Sequence, residues 1–249
     1  MALYAHDPKP NPPDLKAQHK DYDYSLRVSP RARRVRLSVK PFVGLEIVVP
    51  KNFPTRQIPR ILQQHDQWIT RQLQKHRQHV EAWRLPEEIE LRFLDQRIQV
   101  NYQPTTRPGF RQTGSGLAIQ EGTNDQVLKT LRDWLRHQAR QALTPALHQI
   151  ADEFGFRFKR TSIRSQKSRW GSCSSSGTIS LNDQLLFMPA NTVRYLMIHE
   201  LCHTRHMNHS ADFWRLVSSC CPDFRDHEHV LAHGRSLIPD WFLKSLYSR

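Results

Sequence analysis

Apolar and polar residues alternate in the first third of the chain, from about residue 24. Leu26 and Val28 are separated by a basic residue, the apolar positions of 35–39 alternate in the same way, and an apolar run follows at 45–49. A period of two is typical of strands that bury one face. The pattern predicts a small antiparallel sheet in this part of the chain.

A helical period of apolar residues follows these strands and returns near the middle of the chain. Apolar residues recur every three or four positions over 58–73 and predict a basic helix. Two more strands are predicted at 89–93 and 98–102, before a loop rich in Pro, Gly, Thr and Ser at 103–116. A long helix is then predicted from about residue 125 to a stop at Gly155.

These elements predict an α+β protein with two domains and a leader. Residues 1–23 contain too few apolar residues to form a core, so they are predicted to be disordered. Residues 24–120 form the predicted β-rich segment with one helix, and residues 121–249 form the second domain. The boundary is placed just after the polar loop, because such stretches separate packed segments.

The amino-acid composition limits the cellular compartments and binding partners that are predicted for the protein. Lys and Arg number 37 against 23 Asp and Glu, a formal charge of +14, which fits attraction to nucleic acid, an anionic surface or acidic polypeptides. No apolar stretch approaches the roughly 20 residues of a membrane span, and the N-terminus lacks the apolar core of a signal peptide. The four cysteines show no disulfide-framework spacing, so a cytoplasmic protein with reduced thiols is predicted.

One short motif in the second half of the chain carries chemistry. The run His199-Glu200-Leu201-Cys202-His203 lies in a segment with a helical apolar stripe. Residues four apart on a helix point to the same side, so both imidazoles can bind one ion while Glu200 lies beside it. Zinc held in this way activates water for hydrolysis, with the glutamate as general base. The motif therefore predicts one catalytic zinc ion per chain.

A catalytic zinc ion needs a third protein ligand and an open position. His209 is the first candidate, because Asn208 before it can take the left-handed conformation that ends a helix and turns the chain back. His206, on the same helical face, and Glu228 are the alternatives. The later histidines of this region are interpreted as surface residues unless Glu228 is a ligand: His227, His229 and His233.

The residues around the motif resemble a known family. The resemblance is carried by Arg169-Trp170-Gly171-Ser172-Cys173-Ser174-Ser175, by Ile179-Ser180-Leu181-Asn182, and by Asn208-His209-Ser210 with Phe213-Trp214. Together with the HELCH run, this set resembles the YgjP-like metallopeptidase family, which is similar in turn to the SprT-like and WLM-type zinc proteases. The resemblance is strongest over 127–233 and weaker over 24–73.

The resemblance implies a zincin-like catalytic domain in which the HExxH helix packs on a small sheet. It implies zinc ligands at His199, His203 and His209, with Glu200 as the catalytic base. Metzincins share this histidine spacing but have glycine where His206 stands, so the chain is not assigned to them. In such hydrolases the strand ahead of the motif helix often lies along the substrate, which makes 178–182 the candidate strand.

The favoured function is a cytoplasmic zinc-dependent peptidase with a polypeptide substrate. The alternative is a nucleic-acid-binding protein with a structural zinc ion and no hydrolysis, and both could hold for a protease recruited to nucleic acid. The alternative draws on a basic predicted strand that contains Arg31, Arg33, Arg34, Arg36 and Lys40. The group that stabilises the oxyanion is left open among Arg164, Arg169 and Tyr195.

Overall fold

A computed structural model describes residues 15–19, 22–40, 42–104 and 109–247. Packing divides the chain after Trp83 into two compact units. The predicted boundary near residue 120 falls inside the second unit, because strands on both sides of the polar loop form one sheet that packs on the long helix. Residues 1–14, 20 and 21 of the predicted leader lie outside the described residues. None of the described helices combines the length and the apolar composition of a membrane-spanning segment.

In its described residues, the first unit consists of a four-stranded sheet and two helices. Its strands have the order β1-β2-β4-β3 and are β1 (Leu15–His19), β2 (Tyr22–Val28), β3 (Arg36–Lys40) and β4 (Gly44–Val49). Its helices are α1 (Ile58–Gln64) and α2 (Asp66–Ala82), which replace the single helix predicted over 58–73 and meet at His65. β1 lies in the predicted disordered leader, where its backbone pairs with β2 instead of water.

The sheet of the first unit is mixed, so the prediction of an antiparallel sheet is wrong for one pairing. β1 pairs antiparallel with β2, and β3 with β4, but β2 and β4 run parallel. A period of two shows which face of a strand is buried, but it does not show which strand lies beside it. That pairing depends on packing between segments distant in sequence. The buried residues form one core: Leu26, Leu45, Ile47, Val49, Ile58, Leu62 and Ile69.

The second unit begins with another four-stranded sheet and the long helix. The strands, in the order β5-β6-β8-β7, are β5 (Glu88–Leu91), β6 (Gln96–Gln103), β7 (Phe110–Thr113) and β8 (Gly116–Gln120). Helix α3 (Asn124–Phe154) begins at a capping box between Thr123 and Gln126 and ends at Gly155 with φ of 64°. The predicted helix and its stop are confirmed, while β7 lies in the segment predicted as a loop.

The remainder of the second unit is a three-stranded sheet with four helices. The strands, in the order β10-β11-β9, are β9 (Arg160–Arg164), β10 (Gly171–Cys173) and β11 (Thr178–Asn182). The helices are α4 (Ala190–Cys202), α5 (Ala211–Cys220), α6 (Phe224–His233) and α7 (Asp240–Ser245). α4 carries the HELCH run and packs against β10, α3, α5 and α6. This is the α+β arrangement predicted, with the motif helix on a small sheet.

Candidate metal centre

Helix α4 positions the first part of the site. Its apolar residues, among them Val193, Met197 and Leu201, are buried, which fixes the rotation of the helix about its axis. The helix ends at Cys202 with His203 as its C-cap, and the chain turns back through a tight turn in which the Thr204 N–H donates to the Leu201 carbonyl. Ser210 then caps α5 by accepting from the Phe213 N–H.

The turn brings three imidazoles together. His199, His203 and His209 each offer a nitrogen, and these nitrogens lie within 4.8 Å of one another. The Nε2 atoms of His199 and His209 are 3.2 Å apart. Zn–N bonds of about 2.0–2.1 Å at tetrahedral angles separate ligand nitrogens by about 3.3 Å. Among the described residues, neither His206 nor Glu228 belongs to this group.

Hydrogen bonds on the outer nitrogens orient two of these rings. His203 Nδ1 lies 3.0 Å from the carbonyl oxygen of His206, and His199 Nδ1 lies 3.4 Å from the hydroxyl oxygen of Tyr195. Such contacts select the tautomer that leaves Nε2 free for a metal ion. The Tyr195 hydroxyl also bonds to Glu228. Both alternatives for the third ligand therefore lie next to the cluster and not in it: His206 contacts His203 through its backbone carbonyl, and Glu228 bonds to Tyr195.

Aromatic rings of α5 pack against the imidazoles. Phe213 stacks on His203 with ring centroids 4.5 Å apart, and Trp214 stacks on His209 at 5.7 Å. Burial, followed by the neighbouring imidazoles, lowers the pKa of His199 to about 4, and burial also lowers the pKa of His203. Both rings are therefore neutral near pH 7, the state in which imidazole binds a metal ion.

Glu200 lies against the edge strand β10. It is 5 % exposed, and a Cβ placed on Gly171 would lie 2.6 Å from its Oε1 atom. Burial raises the pKa of Glu200 to about 7, against the opposing effects of Arg169 and of a hydrogen bond from the Cys173 N–H. A carboxyl with this pKa both accepts and returns a proton near neutral pH.

The strand that faces the site differs from the predicted one. β11, at 178–182, pairs with β9 and β10 on its two sides, so its backbone is not available to a substrate, and the prediction for this strand is wrong. β10 and β9 are the two edge strands of this sheet in the described part of the chain, and β10 is the one that packs against α4. Trp170 and Ser174 bond to β11, so the intervening Gly171 and Cys173 direct their backbone groups away from it.

A cavity of about 460 Å³ opens beside His199 and Glu200. Its walls include Trp170, whose indole N–H donates to the Leu231 carbonyl at 3.0 Å, and Arg235. Of the three residues considered for the oxyanion, Tyr195 lines this cavity and its hydroxyl contacts His199, while Arg169 acts on Glu200. Arg164 bonds to Ser162 on β9 and is exposed. The contacts of Gly171 and Cys173 with Glu200 were not predicted from the sequence.

The chain is similar to known metallopeptidases. The model of the YgjP-like metallopeptidase domain matches residues 33–234. The metallopeptidase zymogen abylysin of Pyrococcus abyssi is 26% identical, with 37% of this chain and 93% of that chain covered and a TM-score of 0.34. Jannalysin of Methanocaldococcus jannaschii, also a metallopeptidase zymogen, is 17% identical, with 36% and 94% covered and a TM-score of 0.33. No curated protein matches the chain.

Proposed function

The chain belongs to the YgjP-like metallopeptidase family, and we propose that it is a zinc-dependent peptidase whose zinc ion is held by His199, His203 and His209. One observation carries the proposal: three imidazole nitrogens lie within 4.8 Å of one another, beside a buried glutamate. Neutral imidazoles suit zinc, and a set of three leaves the fourth position that a catalytic site needs.

Glu200 is the proposed general base. When bound, the zinc ion lowers the pKa of water towards about 7 and polarises the carbonyl that is attacked. Glu200 accepts the proton of the attacking water and delivers it to the nitrogen of the leaving amine. The Cys173 N–H and the close approach of Gly171 hold the carboxylate in place for both transfers.

The edge of β10 is the proposed docking line for an extended polypeptide. An exposed strand edge adds a further strand through main-chain hydrogen bonds. The Cys173 N–H is occupied by Glu200, which leaves the Gly171 N–H and the carbonyl groups of Gly171 and Cys173 for the substrate. A side chain next to the scissile bond would then enter the cavity lined by Trp170 and Arg235.

The protein is further proposed to act in the cytoplasm, since its four cysteines are free thiols. Recruitment to nucleic acid is a second candidate property, supported by the charge of the first unit. Residues 1–83 contain 15 Lys and Arg against 7 Asp and Glu, a net charge of +8. Such a surface attracts the phosphate backbone independently of sequence.

The test combines metal content with cleavage of an unstructured polypeptide. Purified protein should contain zinc and cleave the substrate, and a chelator should abolish cleavage until zinc is restored. Glu200→Gln should keep the zinc and the fold, because no ligand is removed, while hydrolysis falls by about 10²–10⁴-fold. Full activity in Glu200→Gln would refute the assigned base, and activity without metal would refute the zinc mechanism.

A further inference from the structure

A second cluster of metal-binding side chains lies outside the proposed active site, at the turn between α5 and α6. It consists of Cys221, which follows α5, Asp223, which precedes α6, and His227 in α6. The Cys221 Sγ atom lies 3.2 Å from Asp223 Oδ1, and His227 Nε2 lies 3.3 Å from Asp223 Oδ2. One ligand atom of each residue lies within 4.8 Å of those of the other two.

These separations are of the length that neighbouring ligands of a tetrahedral site require. With bonds of about 2.0 Å to nitrogen or oxygen and about 2.3 Å to sulfur, neighbouring ligand atoms lie about 3.3–3.5 Å apart. The observed 3.2 and 3.3 Å are close to these values, but they run to different oxygens of the Asp223 carboxylate, Oδ1 for Cys221 and Oδ2 for His227. One ligand atom of each residue already lies within 4.8 Å of the other two, so the ion draws one carboxylate oxygen between the sulfur and the imidazole nitrogen.

The three ligands are held by the surrounding structure. His227 Nδ1 lies 3.4 Å from the Thr192 hydroxyl oxygen, so the ring is oriented with Nε2 towards Asp223. The ring also stacks on Tyr195, with centroids 5.9 Å apart. Cys221 is 9 % exposed, and its N–H donates to the Val217 carbonyl at 2.8 Å.

We propose that Cys221, Asp223 and His227 form a second, exchangeable site for a divalent metal ion, with Zn²⁺ as the preferred occupant. Thiolate, imidazole and carboxylate together favour zinc over Mg²⁺ or Ca²⁺, which prefer oxygen ligands. The Asp223 side chain is 64% exposed, so water completes the fourth position and the ion exchanges with solvent. Binding displaces the Cys221 thiol proton, which is released to solvent.

A metal ion bound at this second site would restrain helix α6. The ion joins the end of α5 to the first turn of α6, and α6 supplies Glu228 and Leu231 to the wall of the active-site cavity. His227 also packs on Tyr195, whose hydroxyl contacts His199. Metal at the second site should therefore raise the melting temperature and stiffen one wall of the cavity.

Cobalt separates the two sites spectroscopically. Bound Co²⁺ gives sulfur-to-metal charge-transfer absorption only when a thiolate is a ligand, and the proposed active site contains imidazoles alone. Titration with CoCl₂ of the full chain that already holds zinc at the proposed active site should produce this band and saturate it at one equivalent. Metal analysis after full zinc loading should give two ions per chain. Cys221→Ser should abolish the band and reduce the zinc content to one.

Matched variants test the specificity. Cys220→Ser removes the adjacent thiol and should leave the band unchanged, and so should His229→Ala, an exposed histidine of the same helix. Asp223→Asn, at an exposed position, should weaken Co²⁺ binding at this site by about tenfold or more. A missing band, or one that survives Cys221→Ser or disappears in Cys220→Ser, would overturn the proposal. None of these measurements follows peptide cleavage, so a result that overturns the second metal site would not bear on the proposed peptidase function.

Discussion

The contact between Gly171 and Glu200 makes a prediction about a residue that bears no functional group. In Gly171→Ala the new Cβ would lie 2.6 Å from Oε1, 2.9 Å from Cγ and 3.0 Å from Cδ of Glu200. Ordinary contact begins at 3.4 Å, so the carboxylate must move by about 0.8 Å. Gly171 does not have a positive φ, so alanine is compatible with its backbone and the clash is the main perturbation.

The displacement should affect the chemistry and not the metal. Misplacement of a catalytic group by about 1 Å reduces rates on the order of 10²-fold, which is about 2.7 kcal/mol of transition-state stabilisation. We therefore expect kcat/KM of Gly171→Ala to fall by about 10² while zinc content stays at the wild-type level, because Glu200 is not a proposed ligand. The carboxylate also moves away from the Cys173 N–H, which lowers its pKa at present. The acidic limb of the pH–rate profile should therefore shift to higher pH.

The assay is cleavage of an unstructured polypeptide across pH, with metal analysis and thermal melting of the same preparations. Gly116→Ala is the matched control, because it is also in a strand and its added Cβ would meet no atom closer than 3.4 Å. It should retain full activity. If Gly171→Ala has wild-type kcat/KM and an unshifted pH profile, the position of Glu200 against β10 does not matter for catalysis.

Three other predictions concern the third ligand, a carboxylate of the first unit, and the positive charge. His209→Ala should lose zinc as severely as loss of a motif histidine, whereas His206→Ala should keep it; normal zinc in His209→Ala would remove it from the ligand set. Burial alone would raise the pKa of Glu46, but Lys40 and then Arg27 hold it below its usual value. The ionised Glu46 side chain therefore stabilises the fold above its pKa in the unfolded chain, and this stabilisation is lost as the pH falls through its pKa in the folded protein. Calorimetry should therefore show that Glu46→Gln lowers the melting temperature at neutral pH, with a difference that vanishes in acid; a constant difference would contradict this. Binding to DNA should weaken linearly on a log–log plot against salt, with a slope of about −0.9 per phosphate on duplex, and no binding at low salt would refute it. Zinc content should stay unchanged while that slope flattens on charge reversal at Arg33, Arg34 and Arg36.

Local signals explain which parts of the fold could be predicted. Each end of α3 is determined by residues next to it in the sequence: the capping box of Thr123 and Gln126 at the start, and the left-handed Gly155 at the end. The sequence alone therefore predicts this helix well. The parallel pairing of β2 with β4 joins segments that are distant in sequence. The alternation of apolar and polar residues does not show which strands become neighbours, so it could not predict the mixed sheet.

The same distinction applies to the site. His199, Glu200 and His203 are brought together by one turn of helix, which the spacing alone predicts. The approach of Gly171 and Cys173 to Glu200 depends on how β10 packs against α4, and nothing in the local sequence signals it. The interpretation of His227 as a surface residue is wrong, since its side chain is 15% exposed. Its partners Cys221 and Asp223 lie in a turn whose geometry the sequence pattern does not specify.

The electrostatics of the proposed centre favour occupancy by a cation. Burial raises the pKa of Glu200 from its ordinary 4.5 to about 7, which corresponds to a destabilisation of about 3 kcal/mol at neutral pH relative to an exposed carboxylate. Burial also keeps His199 neutral, so this ring cannot supply the missing positive charge. A buried carboxyl next to neutral imidazoles is an unfavourable arrangement for stability alone, and it is typical of sites where function requires it. A divalent ion among the three imidazoles would supply the charge that stabilises ionised Glu200, and this coupling links metal binding to the basicity on which the proposed hydrolysis depends.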